Sequence, residues 1–280
     1  MKNKKSAVIA AAVVCLVAVV LVLIIPAITK SQQNKLIEQY TESNLELYAE
    51  LNVITDSVSV DGNAHSLAGI KEAVRLGADT VTVDLCFTPD GTPVIDDDYT
   101  DITDSTLKAE EIFKLMSEEN YKDININFRL RQLTSLSEFN RLVAEYDVSK
   151  RVIITGIDSN RYSLISGTDT PVKVYFDFEP ADTAESSVES VLRLMTDYSL
   201  GGIVIEAKDA SKELIDALSQ KGVPYIISNV DKEVEMYCVM SYGAYAIDTD
   251  SPQFLKEAHN SWKNITLQRL DASILDELNK

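Results

Sequence analysis

Residues 64–106, AHSLAGIKEAVRLGADTVTVDLCFTPDGTPVIDDDYTDITDST, decide how the rest of the chain is read. Ser66 can cap a helix over 66–76, because its hydroxyl can accept from a backbone N–H that the first turn leaves unpaired. Gly77-Ala78-Asp79 then turns the chain, and TVTVDLCF at 80–87 has the β-branched alternation of a strand. A Pro89-Asp90-Gly91 turn follows, and after it the acidic run Asp96-Asp97-Asp98. Alternation along the strand sends Thr82, Asp84 and Cys86 to one face.

The same unit recurs downstream. Strands are expected at 58–60, 80–87, 123–128, 151–155, 172–176, 202–205, 223–228 and 244–247. Helices are expected at 66–76, 107–119, 135–146, 187–198, 211–221 and 232–242. Eight strands alternating with helices predict parallel α/β architecture, and eight is the number at which a TIM (β/α)8 barrel closes. A doubly wound open sheet is the alternative on pattern alone, but no Gly-rich phosphate loop follows the first strand.

Before this domain, residues 6–28 are uncharged and dominated by Ala, Val, Leu and Ile. At about 1.5 Å per residue the stretch crosses a hydrocarbon core of about 30 Å, so one N-terminal transmembrane helix is expected. Lys2, Lys4 and Lys5 precede it and only Lys30 and Lys35 follow closely, which places the N-terminus in the cytoplasm and the remainder outside the cell membrane. A cleaved signal peptide is disfavoured by the length of the span and the lack of a small-residue cleavage site. The expected organisation is 1–29 cytoplasmic tip and anchor, 30–51 stalk or extra helix, 52–258 barrel, and 259–280 C-terminal helical extension.

The 280 residues carry 44 acidic and 26 basic side chains, a net charge of -18. The basic residues are scattered, and nucleic acid, which requires a concentrated positive face, is excluded as a partner. The membrane is expected as a partner through the anchor, with a membrane or envelope protein and an unidentified small molecule as further candidates. Of the three cysteines Cys15 falls in the apolar span, while Cys86 and Cys238 read as buried thiols, so no redox chemistry is expected.

The 64–106 unit resembles the first half of the glycerophosphodiester phosphodiesterase family. That family has a His-Arg-Gly turn, E-N-T opening a helix, Glu-x-Asp on a strand, and D-G-x-P-V followed by His-Asp. Farther on, RVIITGI at 151–157 resembles the family's fourth-strand segment, GVPYIISNV at 222–230 its G-x-x-V-x-x-W-T-V-N segment without the Trp, and GAYAIDTDSP at 243–252 its closing G-x-D-G-I-x-T-D-x-P signature. The match spans roughly residues 52 to 258 and implies a TIM barrel. It also implies hydrolysis of glycerophosphodiesters to glycerol 3-phosphate and an alcohol, with two histidines moving protons and two glutamates and an aspartate holding a divalent metal.

Carried over position by position, the resemblance loses most of that chemistry. The His-Arg-Gly turn corresponds to Val60-Asp61-Gly62, and E-N-T to Ala64-His65-Ser66. Thr82 falls where the first metal Glu belongs, whereas Asp84 keeps the metal Asp. The His-Asp pair becomes Asp97-Asp98, and the third strand's Glu-x-Lys becomes Asn127-Phe128-Arg129. With only His65 and His259 in the chain, no alignment supplies the histidine pair. His65 is the candidate proton carrier, Arg129 the candidate ligand-binding cation, and Asp84, Asp97 and Asp98 the candidate metal ligands. Their oxygens would suit Ca2+ or Mg2+ in an active enzyme, and no other cofactor is indicated. The bland reading of the acidic run is a solvated loop.

The sequence therefore predicts a membrane-anchored, extracytoplasmic phosphodiesterase-like barrel that has lost its catalytic groups and serves as a binding or interaction module. The alternative is an active metal-dependent phosphodiesterase with a rebuilt site.

Overall fold

The structure is a computed structural model that describes residues 51–132, 135–165, 170–180 and 183–261. Its strands are β1 (Asn52–Asp56), β2 (Thr80–Phe87), β3 (Pro93–Ile95), β4 (Asn125–Leu130), β5 (Val152–Ile157), β6 (Lys173–Asp177), β7 (Gly202–Glu206), β8 (Tyr225–Ser228) and β9 (Ala246–Asp248). Between them run α1 (Leu67–Arg75), α2 (Ala109–Met116), α3 (Ser137–Glu145), α4 (Ser159–Ile165), α5 (Ala184–Tyr198), α6 (Lys212–Gln220) and α7 (Glu233–Ser241). Residues 252–261 form a further helix after β9.

β1 pairs in parallel with β9 on one side and with β2 on the other, and this double pairing closes the sheet. The ring runs β1-β9-β8-β7-β6-β5-β4-β2, all parallel, with β3 added antiparallel to β2 outside it. An open doubly wound sheet is thereby excluded. Alternation divides the side chains into two layers. Outward-facing Val81, Val83, Ile126, Phe128, Ile154, Ile203 and Ile227 are at most 2% exposed and join the apolar core that contains the helices' buried faces. Inside the ring a second, smaller cluster gathers Ile54, Ile226 and Ala246, with Ile153, Tyr175 and Val204 packed against it.

The helices start where their capping residues stand. Ser66, Thr183 and Ser211 accept from the backbone N–H groups of Gly69, Ser186 and Leu214, respectively, and caps of this kind stabilise by about 1 kcal/mol each. β2 and six helices fall close to where the sequence places them. The first strand does not: residues 58–60 lie in the loop after β1. Val-Ser-Val has the alternation of a half-exposed strand, but a barrel strand is buried on both faces, and it is Val53, Ile54 and Thr55 that are at most 3% exposed. The short β3 and α4 were also not expected. Among the described residues no helix is long and apolar enough to cross a membrane. The expected anchor, most of the 30–51 stalk, and the extension beyond residue 261 lie outside the described residues.

Candidate functional site

All eight ring strands point their C-terminal ends at one mouth, the face on which (β/α)8 barrels place their sites. The inward positions of adjacent strands are matched by register: Asp56 pairs with Thr82, Thr82 with Asn127, and Asp84 with Arg129. At the level of Thr82 the interior is neutral. Thr155 Oγ1 donates to Asn127 Oδ1 at 2.9 Å, and Asn127 Nδ2 donates to Thr82 Oγ1 at 3.1 Å, so this buried polar layer is internally bonded.

One layer higher, Arg129 spans three strands. Its Nε lies 2.7 Å from Asp84 Oδ1 and its Nη2 3.1 Å from Asp84 Oδ2. Nη2 and Nη1 also reach Asp56, at 2.9 and 3.3 Å. Arg131 adds a third cationic contact, Nε to Asp84 Oδ1 at 2.6 Å. Burial pushes the Asp84 carboxyl up, but Arg129 and Arg131 outweigh it and hold it below the usual carboxylate range. Burial likewise opposes the charge on Arg129, and the two carboxylates outweigh that and raise its pKa.

The resemblance implies a divalent cation at this height, and the residues present do not fit one. Thr82 and Asn127 are neutral and bonded to each other, and Asp84 already accepts from two guanidinium groups. A metal ion there would have to displace Arg129 and Arg131 from the carboxylates of Asp56 and Asp84.

Beside Arg129 the mouth opens into a cavity of about 950 Å³. Its walls include Asp158, Asp177 and Glu179 from the ends of β5 and β6, Glu206 at the end of β7 with Lys208 just beyond it, and Asp248 at the end of β9. Asp177 presents exposed surface there, yet burial by the surrounding protein and the charge of Asp158 raise its pKa to about 6, with the Gly156 N–H, Arg161 and Arg129 pulling the other way. The Asp248 carboxyl is raised to about 7 by burial, with Asp56, Asp231 and Asp250 adding to the effect and Arg129 opposing it. Cys86 is buried, and that burial, with Asp96 and Asp84 nearby, pushes its thiol up to about 11.

Of the residues singled out in the sequence, Arg129 and Asp84 come together and Arg129 lines the cavity. His65, Asp97 and Asp98 do not line it. His65 Nε2 lies 3.6 Å from Asp97 Oδ1, and Asp98 accepts from the backbone and hydroxyl of Thr100, both at 2.8 Å. Among the described residues, one set of three potential metal-ligating groups converges to within 4.8 Å, namely His65, Asp96 and Asp97. The Val60-Asp61-Gly62 turn is present, with Asp61 and Gly62 at positive φ, but β1 ends earlier and delivers Asp56 to the mouth. Asp56, Asp177 and Glu206 were missed by the sequence reading, which weighed motifs and not the last residue of each strand.

No protein-family model matches the chain, and no curated protein matches its sequence. Solved structures do resemble it. A glycerophosphodiester phosphodiesterase from Parabacteroides distasonis superposes with a TM-score of 0.58 at 15% identity, covering 76% of this chain and 98% of that one. An Oleispira antarctica phosphodiesterase in complex with the product sn-glycerol-3-phosphate gives 0.57 at 15% identity, covering 75% and 96%. A glycerophosphodiester phosphodiesterase from Agrobacterium tumefaciens gives 0.55 at 11% identity, covering 73% and 98%. The chain thus has the closed, eight-stranded parallel barrel fold of the glycerophosphodiester phosphodiesterases.

Proposed function

We propose that this protein is a membrane-anchored, extracytoplasmic pseudoenzyme: a phosphodiesterase-like barrel without phosphodiester hydrolysis, serving as a binding or interaction module. The observation that carries the reading is the bridge from Arg129 to Asp56 and Asp84. An internal guanidinium compensates the mouth carboxylates nearest the position where the resemblance implies a metal. Hydrolysis also needs a proton donor for the leaving alkoxide, and neither histidine of the chain lines the cavity. The anchor is supported by the uncharged 6–28 stretch and the lysines before it. Such an anchor would hold the barrel beside the membrane, within reach of a membrane or envelope protein.

A second reading has one observation in its favour, the convergence of His65, Asp96 and Asp97, with Asp98 beside them. It is an active, metal-dependent phosphodiesterase with a rebuilt site. The deciding assay uses the full-length chain in nonionic detergent, with glycerophosphocholine and bis(4-nitrophenyl) phosphate, in Ca2+, Mg2+, Mn2+ or EDTA. No turnover by folded protein is expected. Metal-dependent turnover lost in folded Asp84→Ala or His65→Ala would overturn the non-hydrolytic reading and establish the second.

A further inference from the structure

The cavity at the mouth is within the size range of small-molecule sites, roughly 300–1,000 Å³. Among the described residues six carboxylates line it: Asp158, Asp177, Glu179, Glu206, Asp209 and Asp248. Two cations among the described lining residues face them, and both are engaged. Arg129 is bound by Asp56 and Asp84, and Lys208 Nζ lies 2.6 Å from Glu206. The walls therefore carry a surplus of negative charge, and an anionic phosphodiester entering the cavity meets repulsion.

A single metal ion does not match these walls either. Among the described residues, the three-group set within 4.8 Å is the one at His65, so no three of the cavity carboxylates come that close together. They are spread around the ring instead, with Asp177 on β6 and Asp248 on β9, three strands apart. The floor has a polar side, Thr82, Asn127 and Thr155, and an apolar side, Ile54, Val204 and Ile226. Separated anionic groups with an apolar stretch beside them complement a ligand with separated positive charges joined by hydrocarbon.

We propose that the cavity binds an extended organic cation, a linear polyamine, with its methylenes over Ile54, Val204 and Ile226 and its ammonium groups against carboxylates on the two sides of the mouth. This assignment rests on reading the domain as a binding module, and it names the class of ligand bound.

The test is calorimetric titration of the full-length chain in nonionic detergent with spermidine at about pH 8, above the values to which Asp177 and Asp248 are raised, and about 150 mM salt, repeated at lower salt, where screening is weaker. Saturable one-to-one binding is expected, tightening at low salt and weakening about tenfold or more when Asp177→Asn and Asp248→Asn are combined. Glu206→Gln, on the exposed rim, is the second variant and should weaken binding without loss of the thermal transition. Absence of saturable binding, unchanged affinity in both folded variants, or binding of Ca2+ that spermidine does not displace would each overturn the proposal. Turnover of bis(4-nitrophenyl) phosphate would instead fell the binding-module reading itself, whereas a missing spermidine signal alone fells only the ligand class.

Discussion

Arg129 on β4 stands opposite Asp84 on β2 in the parallel register, its Nε 2.7 Å from Asp84 Oδ1. The same guanidinium reaches Asp56 on β1 at 2.9 Å, so one side chain joins three neighbouring strands at the barrel mouth. Guanidinium is suited to this, since its planar fork can serve two carboxylates at once and does not lose its charge on burial. The result is a compensated cluster beside a cavity with surplus negative charge.

Replacing Arg129 by Ala leaves Asp56 and Asp84 facing each other with Arg131 as the remaining cation. Removing one member of a buried pair costs roughly 3–5 kcal/mol. Here Asp84 is 8% exposed but Arg129 28% and Asp56 45%, which reduces the expected loss to about 2 kcal/mol. Thermal melts of Arg129→Ala should show this, and millimolar Ca2+ should restore part of the loss in the variant while leaving wild type unmoved. A wild-type melt raised equally by Ca2+ would contradict it.

Stability should fall as pH rises from about 5 to about 7. An unfolded aspartate ionises near its ordinary value of about 3.9, whereas folded Asp177 and Asp248 hold their protons up to about 6 and about 7. Through that window the native state binds more protons than the unfolded state, and stability declines as these are lost. Asp84, whose folded pKa is depressed, contributes stability above the ordinary carboxylate value that is lost only in more acidic solution, so it adds no slope here. Urea midpoints at pH 5, 6, 7 and 8 measure the decline, and Asp248→Asn should flatten it. A level profile in wild type would rule the account out.

Gly156 at the end of β5 adopts φ +76°, and a Cβ there would lie 2.9 Å from the Leu130 carbonyl oxygen. Gly156→Ala is expected to destabilise by about 2 kcal/mol, from left-handed strain and from displacing a backbone atom. A chemical denaturation midpoint equal to wild type would refute this.

Thr155→Val is close to isosteric but removes the donor to Asn127 Oδ1, inside a layer where both residues are 5% exposed. An unsatisfied buried acceptor costs about 1–3 kcal/mol, and Thr155→Ser, which keeps the hydroxyl, should lose less. If the two variants unfold at the same denaturant concentration, the hydrogen bond is not the cause.

The helix, turn and strand of residues 66–87 could be read from the sequence because each is set by neighbours in the chain: a capping hydroxyl, a turn glycine, and alternating β-branched residues. The position of β1 could not, because Val-Ser-Val and Asn-Val-Ile-Thr-Asp are both plausible strands locally, and pairing with β2 and β9 selects the second. Asp84 and Arg129 were each visible as candidate residues. Their union was not, since it joins positions 45 apart, and Asp56 lies 73 positions from Arg129.

By itself, then, the sequence determined the alternation of strands and helices, the barrel class, the uncharged N-terminal stretch, and the shortage of histidine, all of which follow from residue type and local spacing. Tertiary structure decided which charges meet. Closure of the ring and its register put Asp56, Asp84 and Arg129 into one compensated cluster, and they brought Asp158, Asp177, Glu206 and Asp248 around one cavity. Coulombic and hydrogen-bonding partners are set by distances of a few ångströms in space, and separation along the chain does not encode those distances.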